Sequence, residues 1–170
     1  MKTSIDRSGS AVITLPSDNE IRIERKFDAP AELVFDVWTT AEHVRNWWGY
    51  PEHAMTDCSV DLRVGGSYRF AAQVPDFGEV AFTGVYMEIE RPDRLVATEV
   101  YEAFPDKEAV NTLTLDEQDG VTTMIIVSSY PDQQTRDAVI ESGMERGLQV
   151  SLDRAGRIMA ELLDEGDETS

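Results

Sequence analysis

The spacing of apolar residues changes once along this chain, and that change limits the possible folds more than any other feature. From about residue 59 to residue 130, apolar and polar residues alternate between turn signals, which predicts a series of antiparallel strands. After Pro131-Asp132 the apolar residues recur every three or four positions to about Leu163, which predicts one long helix. An antiparallel sheet with one apolar face needs a cover, and this helix is long enough to provide it.

Shorter elements precede this series. Residues 20–27 alternate as a half-buried strand does. Asp28 can cap a first short helix, and Thr39 or Thr40 can cap a second that ends near Trp48. The sequence therefore predicts an α+β fold of the helix-grip type: a curved antiparallel β-sheet wrapped around a long C-terminal α-helix, with two short helices after the first strand.

The chain length suits one domain with a substantial core. Residues 1–18 alternate only weakly and contain Ser, Gly and Pro, so we expect an extended N-terminal arm. Residues 19–164 are predicted to form the helix-grip domain. The acidic residues 165–170 are predicted to be a frayed tail.

Charge limits the candidate partners. The 33 acidic and 15 basic residues give a formal net charge of −18, which repels phosphate backbones and anionic membrane surfaces. We therefore expect neither nucleic acid nor membrane as a partner. No apolar segment approaches the length of a membrane span, and the start lacks a secretory apolar run. The single cysteine, Cys58, excludes an intrachain disulfide, so a cytoplasmic location is expected.

Several stretches between about residue 20 and residue 163 resemble one known family. These stretches are Phe27–Pro30, Val34–Thr39, Glu42-His43, Trp47-Trp48, Asp61–Tyr68 (the most specific), Gly84–Ile89, Pro92–Val96, Gly143–Leu148 and Ser151–Arg154. The chain resembles the bacterial family named after the activator of the ninety-kilodalton heat-shock protein ATPase, within the START-like, birch-pollen-allergen-like superfamily (SRPBCC). The resemblance implies a helix-grip fold with a central cavity.

Three function classes follow from the resemblance. Superfamily relatives bind lipids, sterols or polyketides, which implies binding of a small hydrophobic ligand between the sheet and the C-terminal helix. The family name implies an alternative, a co-chaperone-like partner that stimulates a heat-shock chaperone ATPase. A cyclase or hydrolase using Glu99, Tyr101 or Tyr130 is a third class, which we rank last because no common catalytic or phosphate-binding motif is present. No catalytic residue and no cofactor is predicted.

Strand alternation predicts which side chains line the space between sheet and helix. With Ile89 and Leu115 taken as core anchors, Asn111 and Ser128 also point inward and add polar groups. The alternative is that all of these side chains pack against one another as core. A register error of one residue would reverse each assignment. The predicted ligand-binding residues are Trp48, Tyr68, Phe70, Val85, Met87, Glu99, Leu113, Met124, Ile126, Tyr130, Met144, Leu148 and Leu152.

Glu99 has two interpretations. If it faces inward, burial raises the pKa of its carboxyl, which could then act as an acid or a ligand anchor. If it faces outward, it forms a solvated pair, and Arg69 on a neighbouring strand is the candidate partner in either case.

Small residues recur along the predicted long helix at Gly143, Gly147 and Ser151. Glycine inside a helix costs roughly 0.5–1 kcal/mol relative to alanine, so a compensating contact is expected. The row either leaves room for a ligand against the helix backbone or allows close approach of the sheet or the short helices.

Other candidate features have weaker support. His43, His53, Asp57 and Cys58 lack the spacing of a zinc site, and no metal is predicted. Asp61 and Arg63 are interpreted as an ion pair beside the Gly65-Gly66 turn. The remaining candidates, Ile125 and Val127, are expected on the outer face of the last strand, where they could contact a chaperone or form a homodimer.

Overall fold

The computed structural model describes residues 11–169, with side chains for residues 11–166. Within this range the chain forms eight strands and four helices. Residues 1–10 of the predicted N-terminal arm lie outside the described residues. The elements are β1 Val12–Thr14, β2 Glu20–Phe27, α1 Ala31–Thr39, α2 Ala41–Trp47, β3 Ala54–Val60, β4 Ser67–Val74, β5 Gly78–Glu90, β6 Arg94–Tyr101, β7 Ala109–Gln118, β8 Val121–Ser129, α3 Gln133–Glu141 and α4 Met144–Thr169.

All eight strands belong to one sheet in the order β1-β2-β8-β7-β6-β5-β4-β3, and every neighbouring pair is antiparallel. The first long strand, β2, therefore pairs with the last, β8. The α1–α2 pair is inserted between β2 and β3, as the spacing of apolar residues predicted. The predicted α+β helix-grip fold is confirmed.

The pairing register shows which side chains share a row across the concave face of the sheet. In a row, residues on neighbouring strands lie opposite each other and point to the same side. The row nearer the centre is apolar, and the next row contains two polar side chains. The two rows are Leu95–Leu113–Ile126–Ile23 and Ala97–Asn111–Ser128–Ile21.

Helix α4 covers this concave face. Its apolar stripe buries Leu152, Ala155 and Met159, which are at most 2% exposed. An ion pair between Arg25 of β2 and Asp153 of α4, with Nη1 and Oδ1 3.1 Å apart, joins the sheet to the helix. The predicted role of the C-terminal helix as the cover of the sheet is therefore confirmed.

The helix predicted after Asp132 is interrupted, so the prediction of one continuous helix is wrong. Asp132 caps α3 as its Oδ1 accepts from the Thr135 amide at 2.7 Å, but α3 ends before Gly143. Gly143 has φ +85°, a left-handed conformation that ends helices and suits glycine. Helix α4 then runs to Thr169, past the predicted end near Leu163. None of the described helices combines the length and apolarity needed to span a membrane.

The start of α1 is satisfied from a distant strand rather than by the predicted cap. Asp28 is not the capping residue, because Pro30 occupies that position and makes no side-chain capping bond. The free Ala31 amide instead donates to Glu117 Oε1 at the end of β7, 2.9 Å away. A long-range contact therefore replaces local capping chemistry at this helix.

The turn between β3 and β4 needs glycine for two reasons. Gly65 has φ +86°, and a Cβ on Gly66 would lie 2.1 Å from the Asp61 carbonyl oxygen. The predicted pair of Asp61 and Arg63 is confirmed, with Oδ2 and Nε 2.9 Å apart. Both side chains are more than half exposed, so the pair adds little stability of its own.

Candidate functional site

A small polar cluster lies on the concave face where β6, β7 and β8 run side by side. We define the polar cluster as Glu99, Asn111, Ser128 and Tyr130. Asn111 lies opposite Ser128, and Glu99 lies opposite Ala109. The neighbouring row toward the centre of the sheet is apolar, so these polar groups lie at the edge of a hydrophobic interior.

The Glu99 carboxyl is enclosed, although the residue keeps some exposed surface. Burial raises the pKa of this carboxyl well above its ordinary value, and a hydrogen bond from the Asn111 side chain lowers it by less. Burial therefore shifts this carboxyl toward its neutral, protonated form. In that form the carboxyl can donate a hydrogen bond as well as accept one. Of the two interpretations of Glu99, the inward one is correct.

The predicted pairing of Arg69 with Glu99 is wrong. Arg69 lies on the opposite face of β4, since neighbouring positions alternate and Tyr68 is the inward one. Its guanidinium binds three carboxylates on the outer face: Asp57 at 3.1 Å, Glu79 at 3.2 Å and Glu102 at 2.8 Å. These contacts join strands β3 to β5 and the end of β6, so the role of Arg69 is structural.

Asn111 holds the clearest unmet interaction in the described part of the chain. Its Oδ1 is buried and has no hydrogen-bond partner among the described residues. A buried acceptor without a partner costs about 1–3 kcal/mol. A donor placed beside this oxygen would recover that free energy, which makes Asn111 a candidate anchor for a ligand.

Two tyrosines lie near Glu99: Tyr130, which belongs to the polar cluster, and Tyr68 of β4. The Tyr68 hydroxyl donates to the Thr98 carbonyl oxygen 2.7 Å away. Burial raises the pKa of Tyr68, and the nearby negative charge of an ionised Glu99 adds to the shift. The same two causes raise the pKa of Tyr130 to about 12, against a smaller lowering by a hydrogen bond with Ser128. Both hydroxyls are therefore neutral near pH 7.

A continuous series of rings leads from the surface to this cluster. At one end Phe104 is 59% exposed, and at the other Tyr68 is 8% exposed. Successive ring centroids are 5.8, 5.1, 5.9, 6.0 and 5.0 Å apart. These separations are typical of interacting aromatic pairs. We call this series the aromatic run; in order, it comprises Phe104, Tyr101, Phe82, Trp48, Phe70 and Tyr68.

Val85 and Met87 were assigned to the wrong face. They are 43% and 48% exposed, whereas Tyr86 between them is 4% exposed. The pairing of β5 with β6 shifts between Tyr86 and Glu88, which is a β-bulge. The prediction counted every second residue back from Ile89 as inward. The extra residue at the bulge shifts this count by one, so residues before the bulge were assigned to the opposite face. Phe82 was missed for the same reason, although its spacing from Tyr86 could have revealed it.

The other predicted lining residues lie inside or at the edge of the interior. All of them except Glu99 pack against one another in one hydrophobic cluster, as the alternative interpretation expected. Whether they bind a ligand stays a prediction. The buried members are Tyr68, Leu113, Met124, Ile126, Tyr130 and Leu152, and the half-buried members are Trp48, Phe70, Glu99, Met144 and Leu148.

Two surface depressions occur elsewhere. One, of about 540 Å³, lies along α3 and includes Gln133 and Glu141. The other, of about 230 Å³, lies between the end of β2 and α4 and includes Phe27 and Met159. Neither is lined by a residue of the predicted site.

The loop that follows α2 packs against two of the small residues of α4, Gly147 and Ser151. A Cβ on Gly147 would lie 3.6 Å from the Tyr50 hydroxyl oxygen, and Ser151 Oγ accepts from the Gly49 amide at 3.0 Å. Gly143 lies outside α4, at the break. The loop therefore packs over this row: Ser151 is held by Gly49, and an added Cβ at Gly147 would make an ordinary contact with Tyr50, so this contact alone does not require glycine there.

The candidate metal ligands do not converge. Within residues 11–166, no group of His, Cys, Asp and Glu is arranged to hold a metal ion. Asp57 is held by Arg69, and His53 packs edge-on against the Tyr50 ring. Cys58 is buried, its Sγ lies 3.4 Å from the Ala41 carbonyl oxygen, and burial raises the pKa of its thiol.

The outward apolar residues of β8 have polar residues beside them on both neighbouring strands. Ile125 and Val127 are half-buried, and each lies opposite a threonine of β7. On the β2 side their partners are Glu24 and Arg22, which form an ion pair at 3.1 Å. A contact with a chaperone or a second copy through these residues stays a prediction.

Solved structures share this architecture. A Rhodobacter sphaeroides protein is 25% identical, with 90% of this chain and 99% of that chain covered and a TM-score of 0.82. A Mycobacterium smegmatis protein is 21% identical, with 88% and 97% covered and a TM-score of 0.79. An Arthrobacter aurescens protein is 22% identical, with 88% and 91% covered and a TM-score of 0.78. The last two show the fold alone.

No curated protein matches the chain. One family model does match, over residues 28–160, and its description is Activator of Hsp90 ATPase homolog 1-like protein. This match spans α1 to α4 and includes the polar cluster and the aromatic run. The chain therefore belongs to the family of Activator of Hsp90 ATPase homolog 1-like proteins.

Proposed function

We propose that the protein binds a small, mostly hydrophobic ligand, lipid- or polyketide-like, between the sheet and the C-terminal helix. The observation that carries this proposal is the buried Asn111 Oδ1, which has no partner among the described residues and lies beside the enclosed carboxyl of Glu99. Family membership and the helix-grip fold are consistent with ligand binding. The apolar surroundings would bind the body of the ligand, and the polar cluster would bind one polar group.

Binding is favoured over catalysis by the protonation of the cluster. General acid–base catalysis near pH 7 needs groups whose pKa values lie close to the working pH. Burial raises the pKa of Tyr130 to about 12 and also raises that of Glu99. The Tyr130 hydroxyl stays protonated near pH 7 and suits hydrogen bonding better than proton transfer. We therefore rank a cyclase or hydrolase using Glu99, Tyr101 or Tyr130 below a binding protein.

Native mass spectrometry tests the proposal. The purified full-length protein is compared with the same sample after denaturation, and an Asn111→Leu variant is purified in parallel. We expect an extra mass that disappears on denaturation and is reduced in the variant. Glu108→Gln, at an exposed site, serves as the control and should retain the mass. A clean ligand-free mass from several expression hosts would contradict the proposal.

A second candidate function has a separate surface. Leu62 and Val64 in the β3–β4 turn lie beside Val85 and Met87 of β5, since the Gly65 amide donates to the Tyr86 carbonyl. Each of the four side chains is at least 36% exposed, and together we call them the outer apolar patch. Such a patch suits a protein partner.

The family name makes a heat-shock chaperone in the cytoplasm, with a role in the stress response, the first partner to test. We expect any stimulation of its ATPase by micromolar protein to be lost in a Val85→Glu, Met87→Glu double variant. Absence of stimulation by the unaltered protein would exclude this function. A homodimer through the same patch would appear as a doubled native mass that the double variant abolishes.

A further inference from the structure

The aromatic run and the polar cluster meet at Glu99. Tyr101 and Glu99 lie two positions apart on the same face of β6, and therefore about 7 Å apart along the strand. From β4, the Tyr68 hydroxyl reaches the carbonyl of Thr98, next to Glu99. A path of ring surfaces therefore leads from exposed Phe104 to the enclosed carboxyl.

The rings along this path are only partly covered. Phe70, Phe82, Trp48 and Tyr101 are all half-buried, in contrast to the fully buried side chains under α1. The centroids of neighbouring rings in this set are 5.1 to 6.0 Å apart, which is typical of interacting rings. A planar aromatic ligand can form ring–ring contacts in place of those that now join two side chains. Such aromatic pairs are stabilised by more than the burial of their apolar area alone. A saturated chain lacks that gain.

The polar end limits the chemistry of the ligand's polar group. Asn111 Oδ1 can only accept a hydrogen bond, and a neutral Glu99 carboxyl has a proton to donate. A hydroxyl group can satisfy both. A carboxylate or phosphate cannot donate to Asn111, would lose hydration on burial, and would be repelled by the net charge of −18.

We propose that this site takes a planar aromatic molecule with a neutral hydroxyl group, with its rings along the aromatic run and its hydroxyl donating to Asn111 Oδ1. The inference rests on the proposed ligand-binding function and narrows the ligand to the phenol and naphthol class. Ring contacts with Tyr101 and Phe82 select a flat ligand, and the unpaired Asn111 oxygen selects a donor.

Isothermal titration calorimetry of the full-length protein with four matched probes tests the inference. The probes are 2-naphthol, naphthalene, decahydro-2-naphthol and 2-naphthoate, which separate the effects of the hydroxyl, the aromatic ring and the charge. We expect 2-naphthol to bind about five- to tenfold more tightly than naphthalene, the effect of one hydrogen bond. It should also bind several-fold more tightly than its saturated analogue, and 2-naphthoate should bind weakest.

Variants assign the two effects to residues. Asn111→Leu should remove the advantage of 2-naphthol over naphthalene while naphthalene still binds, and Glu108→Gln should change nothing. Circular dichroism melting checks that each variant is folded. Phe104→Leu changes an exposed ring and should fold normally. This variant should bind 2-naphthol more weakly, and its affinity for decahydro-2-naphthol should not change.

The possible failures are distinguishable. Three results would each overturn the inference. The protein could bind 2-naphthol no more tightly than naphthalene, or no more tightly than decahydro-2-naphthol. The Asn111→Leu variant could also still bind 2-naphthol more tightly than naphthalene. If no probe binds but native mass spectrometry shows a bound mass, the inference fails and the proposed function stands. If no probe binds and the native mass is also ligand-free, both fail.

Discussion

The two halves of the interface between sheet and helix differ in how completely they are packed. The closed half consists of β2, β7 and β8 with α1 and α4, and it includes Met124 and Leu152, which are 0% exposed. The open half consists of β4, β5 and β6 with the aromatic run, where Phe70 and Phe82 are half-buried and Phe104 is 59% exposed. One sheet therefore has a solid core on one side and a looser, aromatic side.

The halves also differ in how their polar groups are satisfied. In the closed half, buried Arg25 is paired with Asp153 at 3.1 Å, and the buried Thr122 hydroxyl donates to the Ala29 carbonyl at 2.6 Å. At the border of the open half, Asn111 Oδ1 has no partner among the described residues. These polar groups of the closed half are therefore satisfied within the protein, whereas one acceptor at the border of the open half is not satisfied by any described residue.

Two leucines of α4 test this difference most strongly. Leu152→Ala should lower the free energy of unfolding by about 3 kcal/mol, because it leaves a cavity in a fully buried site. Leu148→Ala, one turn earlier and half-buried, should cost about 1 kcal/mol. Urea denaturation of the ligand-free variants measures both. Equal losses would show that α4 is packed as tightly at Leu148 as at Leu152.

Two aspartates beside buried arginines give the next largest effect. Asp153→Asn removes the carboxylate that binds Arg25, whose side chain is 5% exposed, and should cost roughly 1–2 kcal/mol. Asp137→Asn is the control. In this variant Arg136 still donates a hydrogen bond from Nη1 to the Ser17 carbonyl oxygen, 2.6 Å away, so the free energy of unfolding should fall by less than about 1 kcal/mol. Chemical denaturation compares them, and a larger loss in the control would contradict the role of Arg25 in joining β2 to α4.

Glu99→Gln should reveal the penalty of burying a carboxyl. Because burial raises the pKa of Glu99, the folded state holds a proton that the unfolded state releases above the ordinary value of 4.5. Stability of the unaltered protein therefore falls as pH rises above that value, and the variant escapes this loss.

The melting temperature of Glu99→Gln relative to the unaltered protein should therefore be higher at pH 8 than at pH 5. Each kcal/mol corresponds to about 2–4 °C in a chain of this size. Glu108→Gln, at an exposed site, provides the comparison and should show no such trend. A pH-independent difference for Glu99→Gln would mean that its carboxyl is solvated.

The smallest effect is expected on the outer face of the open half. Met87→Ala should change the free energy of unfolding by less than about 0.5 kcal/mol, since Met87 is 48% exposed. Met124→Ala, at a fully buried methionine, is the matched comparison and should cost about 2–5 kcal/mol. Thermal melts separate the two, and a large loss at Met87 would indicate that a partner or second copy covers this face.

Much of the fold could be predicted because its signals are local. The period-two segments and the turn at Gly65-Gly66 each depend on neighbouring residues, and these elements formed near their predicted places. The predictions of helix continuity and of strand facing were wrong where the backbone departs from a regular helix or strand. Gly143 fits a helical row in sequence but adopts φ +85° and ends α3. The bulge after Tyr86 reversed the facing of Val85 and Met87.

The candidate site was predictable only in part. An inward Glu99 could be considered from alternation, but whether a strand position is buried depends on what packs over it. The three carboxylates that bind Arg69 come from β3, β5 and the residue after β6, and no sequence spacing shows that they converge. Phe82 joined the aromatic run only once the bulge was known.

The sequence by itself determined the order of the elements, the α+β class and the need for a C-terminal helix to cover one sheet face, because backbone preference and apolar spacing act over a few residues. Only the tertiary structure decided which half is closed, that Asn111 Oδ1 lacks a partner among the described residues, and that Glu99 is enclosed away from Arg69. Burial and hydrogen-bond satisfaction are properties of groups distant in the chain, and they exist only after the strands have paired and the helix has packed.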